Sequence, residues 1–406
     1  MLKAGPNYHR KSFGLKDQVQ EELSREYESE LIAFIRQHDN VLHQDDTVIK
    51  LAEAFGFCWG VDRAVSMAYE TRKQFPDKQI WITNEIIHNP LVNEKLRQMS
   101  IGFIPILDGG KKDFSLIGAG DVVILPAFGA SIEEMELLEQ KSCEIVDTTC
   151  PWVSRVWNRV DKYQRADFTA IIHGKYRHEE TVATSSRARH YLIVQDVSEA
   201  EWVCSYILNG GDKHEFLTRF KEAVSRDFDP DIHLTRLGVA NQTTMLKGDT
   251  EQIGKLIERT MLQKHGVSNI NDHFLSPGDT ICDATQERQD AMQKLIDDKL
   301  DLVVVIGGYN SSNTGHLHEM AVSSGLPAFH IDGPDCIGAD KSISHKLPHS
   351  SCQTVTAAWL PTGPLTIGVT AGASTPDQVI ARVILKILEL RNGEQADTSL
   401  AQFVSQ

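Results

Sequence analysis

The chain has 406 residues, 41% of them hydrophobic and 24% charged, with a formal net charge of −15. It has room for two or three domains with ample cores and the composition of an ordinary soluble globular protein. The negative balance argues against nucleic acid or an anionic membrane as the main partner, although a small anionic ligand needs only a local positive site, and no apolar run is long enough to cross a bilayer.

Residues 1–46 read as an appendage. Val19, Leu23, Tyr27, Leu31 and Phe34 recur at a helical period among Glu21, Glu22, Glu26, Glu28 and Glu30, which predicts one acidic amphipathic helix over 19–34. No secretory signal is visible. From Val48 onward short apolar runs alternate with amphipathic segments: 48–51, 80–83, 122–125, 145–146, 168–172, 191–194, 237–240, 280–282, 302–306, 328–331 and 365–369. Such alternation predicts α/β layers with mainly parallel sheets. The stretches 207–235 and 332–353 are polar excursions and read as surface insertions. Seven cysteines, at 58, 143, 150, 204, 282, 336 and 352, are odd in number, scattered, and without a Cys-x-x-Cys pair. They suit a reducing compartment and form no disulfide framework, zinc ribbon or ferredoxin-type motif.

A repeat organises the rest. Cys58, Cys150 and Cys282 each end an apolar run and open a helical pattern. A helix N-terminus offers unpaired N–H groups and a positive dipole end, which favour a thiolate. A second strand end follows at a near-constant distance: Thr83 lies 25 residues after Cys58, His173 lies 23 after Cys150, and Gly307 lies 25 after Cys282. A third small polar loop completes each unit, at 126–129, 241–244 and 370–374. Ligands collect at the carboxyl ends of strands in open α/β sheets, and these nine loops read as such ends. Three domains follow, 47–149, 150–281 and 282–371, with a helix and tail over 372–406. Three similar α/β domains in a pseudo-threefold arrangement would bring the three sulfurs together.

Three thiolates without a fourth suit an iron–sulfur cluster with one open iron, or a cysteine-rich zinc site. Three inert core cysteines are the bland alternative, and the matched spacing counts against it. Cys143, Cys204, Cys336 and Cys352 have no such context. Ser311, Ser312 and Asn313 precede one helical run and Ser374 another; hydroxyls, an amide and bare helix N-termini are what a diphosphate needs, although Ser-Ser-Asn alone is no more than a good N-cap. His88 and His178 add donors, and Glu180 could donate a proton.

The segments GFCWGVDRA (56–64), NEIIHN (84–89), VDTTCPWV (146–153), RHEET (177–181), NQTT (241–244), CDATQERQ (282–289), NSSNT (310–314) and GVTAGASTPD (368–377) closely resemble the LytB family of 4-hydroxy-3-methylbut-2-enyl diphosphate reductases. The extension and the two insertions resemble its cyanobacterial and plant branch. The resemblance implies a three-domain fold around one 4Fe–4S cluster held by Cys58, Cys150 and Cys282 with an open iron. It implies reductive dehydroxylation of an allylic diphosphate to isopentenyl and dimethylallyl diphosphate, with Glu180 as proton donor and Thr243 beside the hydroxyl. His88, His178, Ser311, Ser312, Asn313 and Ser374 match the diphosphate contacts. Phe128 departs from the family: most bacterial members carry a histidine there, and a phenyl ring cannot donate to phosphate. No GxGxxG fingerprint follows a strand, so electrons would come from a carrier protein, ferredoxin being the expectation for this branch. The implied setting is the cytoplasm, or the plastid stroma in a plant or alga. A redox-neutral hydro-lyase and a non-catalytic iron–sulfur sensor or zinc scaffold are the alternatives.

Overall fold

The computed structural model describes residues 7–107, 111–276, 278, 280–350 and 352–392. The apolar runs become strands because they are covered on both faces; Leu302–Ile306, Val122–Leu125 and Thr169–His173 are buried at every position, as parallel sheets demand. Three sheets result. The chain falls into two compact units. One takes residues up to Lys11, Asp77–Asn84 and Gly102–Cys282; the other takes Ser12–Pro76, Glu85–Ile101 and the chain from Asp283 onward.

The first unit carries a five-stranded and a four-stranded sheet, apart from Ile101 at the start of the strand Ile101–Phe103. The five-stranded sheet runs Tyr8–His9, Glu144–Asp147, Val122–Leu125, Ile80–Ile82, Ile101–Phe103, and the four-stranded sheet runs Phe274–Leu275, Leu237–Asn241, Thr169–His173, Tyr191–Val194. The second unit carries a seven-stranded sheet whose centre, Thr47–Leu51, Leu365–Ala371, Leu302–Ile306, Ala328–Ile331, is parallel. Antiparallel strands flank that centre: Val41–Gln44 on one side, Ser342–Lys346 and Gln353–Ala357 on the other.

One strand order recurs in all three sheets. The strand leading to a cysteine lies beside the third strand of the preceding repeat, which lies beside that repeat's second strand. Thus Thr47–Leu51 pairs with Leu365–Ala371, Glu144–Asp147 with Val122–Leu125, and Phe274–Leu275 with Leu237–Asn241. The sheets are therefore permuted by one strand against the sequence repeat. Residues 280–282, read as a strand, are not one; Ile281 and Cys282 are buried as coil, and it is Phe274–Leu275 that pairs.

Two further expectations are corrected. The helix expected over 19–34 is two helices, Lys16–Tyr27 and Glu30–Gln37, because Glu28 and Ser29 are extended and the Ser29 hydroxyl caps the second by accepting the Ile32 N–H at 3.5 Å. Val19, Leu23, Tyr27 and Leu31 are buried as the periodicity predicts, whereas Phe34 is exposed. The stretch 207–235 is no polar excursion: Phe216, Phe220 and Phe228 enter the core of the four-stranded sheet's layer, with Trp202 against Phe216 at 5.4 Å between ring centroids. Residues 332–353 do extend a sheet edge, as the start of an antiparallel hairpin. Among the described residues no helix is long and apolar enough to cross a membrane.

Candidate active site

Cys58 and Cys150 are N-caps of the helices Trp59–Gln74 and Pro151–Arg165, and Cys282 immediately precedes Asp283–Asp297. At the first two the thiol makes no capping hydrogen bond. None of the seven cysteines forms a disulfide. The backbone N–H of each of the three donates to the third loop of the preceding repeat: Cys58 to Ala373 O at 3.2 Å, Cys150 to Ala127 O at 2.8 Å, Cys282 to Thr243 O at 3.3 Å. The repeat read from spacing is thus also a repeat of hydrogen bonding. Each of the three thiols stands at the start of a helix and is a soft donor of the kind an iron–sulfur cluster takes. Burial pushes the thiols of Cys143, Cys204 and Cys336 up.

In the second unit the loops 307–313 and 372–375 meet. Ser311 caps the helix Ser312–Ser323, accepting the Thr314 N–H at 3.3 Å and the Thr314 hydroxyl at 3.0 Å. Asn313 Oδ1 accepts the Ala373 N–H at 3.0 Å, which fixes the amide and leaves Nδ2 pointing elsewhere. Ser312 and Asn313 are each 2% exposed, and Ser312 Oγ and Asn313 Nδ2 have no hydrogen-bond partner among the described residues. Buried donors left unsatisfied are costly, so a pair of them at a helix start points to a bound anion. Ser374 donates to His88 O at 3.2 Å, and His88 Nδ1 donates to Glu85 Oε2 at 2.9 Å, which leaves the buried Nε2 as the ring's other polar atom. Arg36 forks Asp377 at 2.6 and 3.1 Å and steadies the helix start that follows Ser374; burial still raises the Asp377 carboxyl above its usual range.

In the first unit Glu180 is 2% exposed. Thr243 holds both its oxygens: the backbone N–H donates to Oε1 at 2.5 Å and the hydroxyl to Oε2 at 3.0 Å. Gln242 braces the same loop, accepting the Thr181 hydroxyl and the Lys175 N–H at 3.1 Å each. His178 caps the helix Glu179–Ser185; its Nδ1 accepts the Glu180 N–H at 3.2 Å, so the neutral ring carries its proton on Nε2 and donates from there. Phe128 is buried and meets the His178 ring edge-on, centroids 6.3 Å apart. It packs the imidazole instead of donating to an anion.

The structure therefore brings together Ser311, Ser312, Asn313, Ser374, His88 and Cys58 in one unit, and Glu180, Thr243, His178, Cys150 and Cys282 in the other. Sequence reasoning missed the residues that hold them: Glu85 behind His88, Thr314 behind Ser311, and Asp147, whose Oδ1 accepts the Thr149 N–H at 2.9 Å just ahead of Cys150. All three stand inside the quoted segments, where a signal was present.

The family model described as LytB protein matches residues 49–388. The 4-hydroxy-3-methylbut-2-enyl diphosphate reductase of Gloeobacter violaceus is 61% identical over 97% of this chain and 95% of its own length. That of Thermosynechococcus vestitus is 60% identical over 96% of each. The solved structure of the E-1-hydroxy-2-methyl-but-2-enyl-4-diphosphate reductase from Plasmodium falciparum shares the fold, with a TM-score of 0.62 at 24% identity, covering 84% of this chain and 87% of that one. A family model matched over residues 49–388 and relatives this similar over nearly their whole length place the chain in the LytB family of 4-hydroxy-3-methylbut-2-enyl diphosphate reductases.

Proposed function

We propose that this chain converts (E)-4-hydroxy-3-methylbut-2-enyl diphosphate to isopentenyl and dimethylallyl diphosphate, the last step of the methylerythritol phosphate route, with two electrons and two protons consumed and the hydroxyl leaving as water. The observation that carries the reading is the pair of buried, unpartnered donors, Ser312 Oγ and Asn313 Nδ2, at the start of the helix Ser312–Ser323. Family membership favours a reductase over a hydro-lyase, a sensor or a scaffold.

Cys58, Cys150 and Cys282 are the thiolates we assign to one 4Fe–4S cluster with an open iron, a group that when bound supplies single electrons and Lewis acidity. The remaining work falls to side chains. Ser311, Ser312, Asn313 and Ser374 take the diphosphate, joined by His88 Nε2 when that ring carries both protons, and His178 donates from Nε2. The Thr243 N–H anchors Glu180 Oε1. When Glu180 carries a proton it donates from Oε2 to the Thr243 hydroxyl, which then turns its own hydrogen toward the leaving oxygen. At 2% and 4% exposed, Glu180 and Thr243 work away from bulk water, where such contacts are strongest. The electron donor is a carrier protein, for which a ferredoxin is our choice. The scattered cysteines and the cyanobacterial relatives support a reducing cytoplasm as the setting.

The test is anaerobic turnover of the reconstituted chain with the allylic diphosphate and a reductant. Two electrons are expected per product. Removing both donors, Ser312→Ala with Asn313→Ala, is expected to raise KM by about 100-fold or more, each hydrogen bond to a charged group being worth about 1.5–3 kcal/mol. Glu180→Gln is expected to keep substrate binding and cluster while losing most turnover. Dehydration without consumption of reductant would overturn the proposal.

A further inference from the structure

The residues around Cys150 are held from an unexpected direction. Asp147 ends the strand Glu144–Asp147, is 1% exposed, and divides its carboxylate between two partners. Oδ1 accepts the Thr149 N–H at 2.9 Å; Oδ2 accepts the Tyr8 hydroxyl at 2.5 Å. Arg10 Nε lies 3.7 Å from the same Oδ2, and Arg10 Nη2 donates to the Ser154 hydroxyl. Ser154 sits one turn beyond Cys150, with its N–H on Cys150 O at 3.1 Å. The strand Tyr8–His9 is itself paired in parallel with Ile145 and Val146. Tyr8 and Arg10 thus grip the backbone ahead of Cys150 through Asp147 and behind it through Ser154. Burial and the neighbouring Asp147 carboxylate raise the Tyr8 phenol, which keeps it a donor, and the buried Arg187 adds positive charge to the group.

A strand that merely covered a sheet edge would not need these side chains. Asp147 needs them, because a buried carboxylate that loses a donor is left with uncompensated charge. The residue that bears the strain of such a loss is the cysteine three positions on, whose own N–H is fixed to Ala127 O at 2.8 Å.

We propose that the N-terminal strand is a clamp for the Cys150 sulfur, with Tyr8 and Arg10 as positioning residues acting through Asp147 and Ser154. The inference rests on the assignment of Cys150 as a cluster ligand. Outer partners of metal ligands tune both affinity and electronics, so the clamp sets how long the cluster is kept and at what potential it works.

The experiment uses the full chain, reconstituted anaerobically, and reads the rate of iron release to a ferrous chelator and the electron paramagnetic resonance spectrum of the reduced cluster. Tyr8→Phe, which leaves the strand's backbone pairing in place, and Arg10→Gln are each expected to release iron about 10-fold faster and to shift the spectrum. Arg10→Lys, which restores a cation and a donor, is expected to recover part of both. His9→Ala cuts the 3.0 Å contact to Glu144, at the start of the strand Glu144–Asp147, and is expected to change neither. The clamp is overturned if Tyr8→Phe and Arg10→Gln match the parent in rate and spectrum, or if His9→Ala accelerates release as much as they do. Failure of the underlying assignment is separately visible: a Cys150→Ser chain that holds its full iron content removes Cys150 from the ligand set whatever the strand variants do.

Discussion

A single backbone oxygen ties much of the anion site together. The His88 carbonyl accepts the Ser374 hydroxyl at 3.2 Å, and a Cβ built on Gly308 would lie 2.3 Å from it. Gly308 is glycine for that approach and not for its backbone angles, which are not in the left-handed region. Gly308→Ala therefore has to displace the 88–89 backbone, and with it the His88 ring and the Ser374 hydroxyl. The overpacking costs about 1–3 kcal/mol, and misplacement of binding groups by a fraction of an ångström costs about 10- to 100-fold in kcat/KM. The expected result is a normal cluster spectrum, a thermal midpoint lower by only a few degrees, and a loss concentrated in KM. A Gly308→Ala enzyme with the parent's KM would show that the carbonyl does not set the site.

Among the elements, the layer around the four-stranded sheet carries two stacked histidine pairs. His190 and His233 lie with ring centroids 3.7 Å apart and planes 16° apart, His265 and His273 at 3.6 Å and 6°. Burial lowers the pKa of His190, His233 and His265; the partner ring lowers it further for His233 and His265, as do Arg189 and Lys264 nearby, while Asp167 and Asp229 oppose the shift at the first pair. The sign follows directly. In the unfolded chain these rings take up protons below about pH 6.5, whereas the folded state resists, so acid favours unfolding. Stability is complete above that value and is lost as pH falls through the folded values beneath it. The thermal midpoint is expected to drop between pH 7.5 and 5.5, and a His190→Phe, His265→Phe chain to lose much of that slope. An unchanged slope would assign acid sensitivity elsewhere. Neither pair was legible in the sequence, since His190 and His233 are brought together only by the fold. What was legible were strands buried on both faces, because they read as unbroken Val and Ile runs; Val122–Leu125, Tyr191–Val194 and Leu302–Ile306 stand where the runs stood. Short edge strands such as Tyr8–His9 and Phe274–Leu275 carry no such signal, and residues 280–282 carried it without being a strand. Phe216, Phe220 and Phe228 were hidden among charges, whereas the three cysteines stood out through a near-constant offset to the next strand end.

Across the whole molecule the sheets do not respect chain order, and the first 46 residues show the consequence. They supply Tyr8–His9 to the five-stranded sheet and Val41–Gln44 to the seven-stranded one. Their helices place Val19, Leu31, Ile32 and Ile35 at 0–1% exposure, and Leu42 is 6% exposed. Tyr27 adds a hydroxyl contact to Tyr69 at 2.9 Å, and Arg36 the fork to Asp377. Five buried aliphatic side chains at about 1.5–3 kcal/mol each contribute roughly 8–15 kcal/mol, which is about the whole net stability of a typical domain. An appendage would be dispensable; a segment of this weight is expected not to be. A chain beginning at Thr47 keeps every candidate site residue from Cys58 to Ser374, yet it is expected to lack a cooperative thermal transition and to bind little iron after reconstitution. Calorimetry and iron analysis on that chain decide the matter. A sharp transition within a few degrees of the intact protein's would mean that residues 1–46 are an accessory, and that the burial of Leu31, Ile32 and Ile35 follows from the fold without sustaining it.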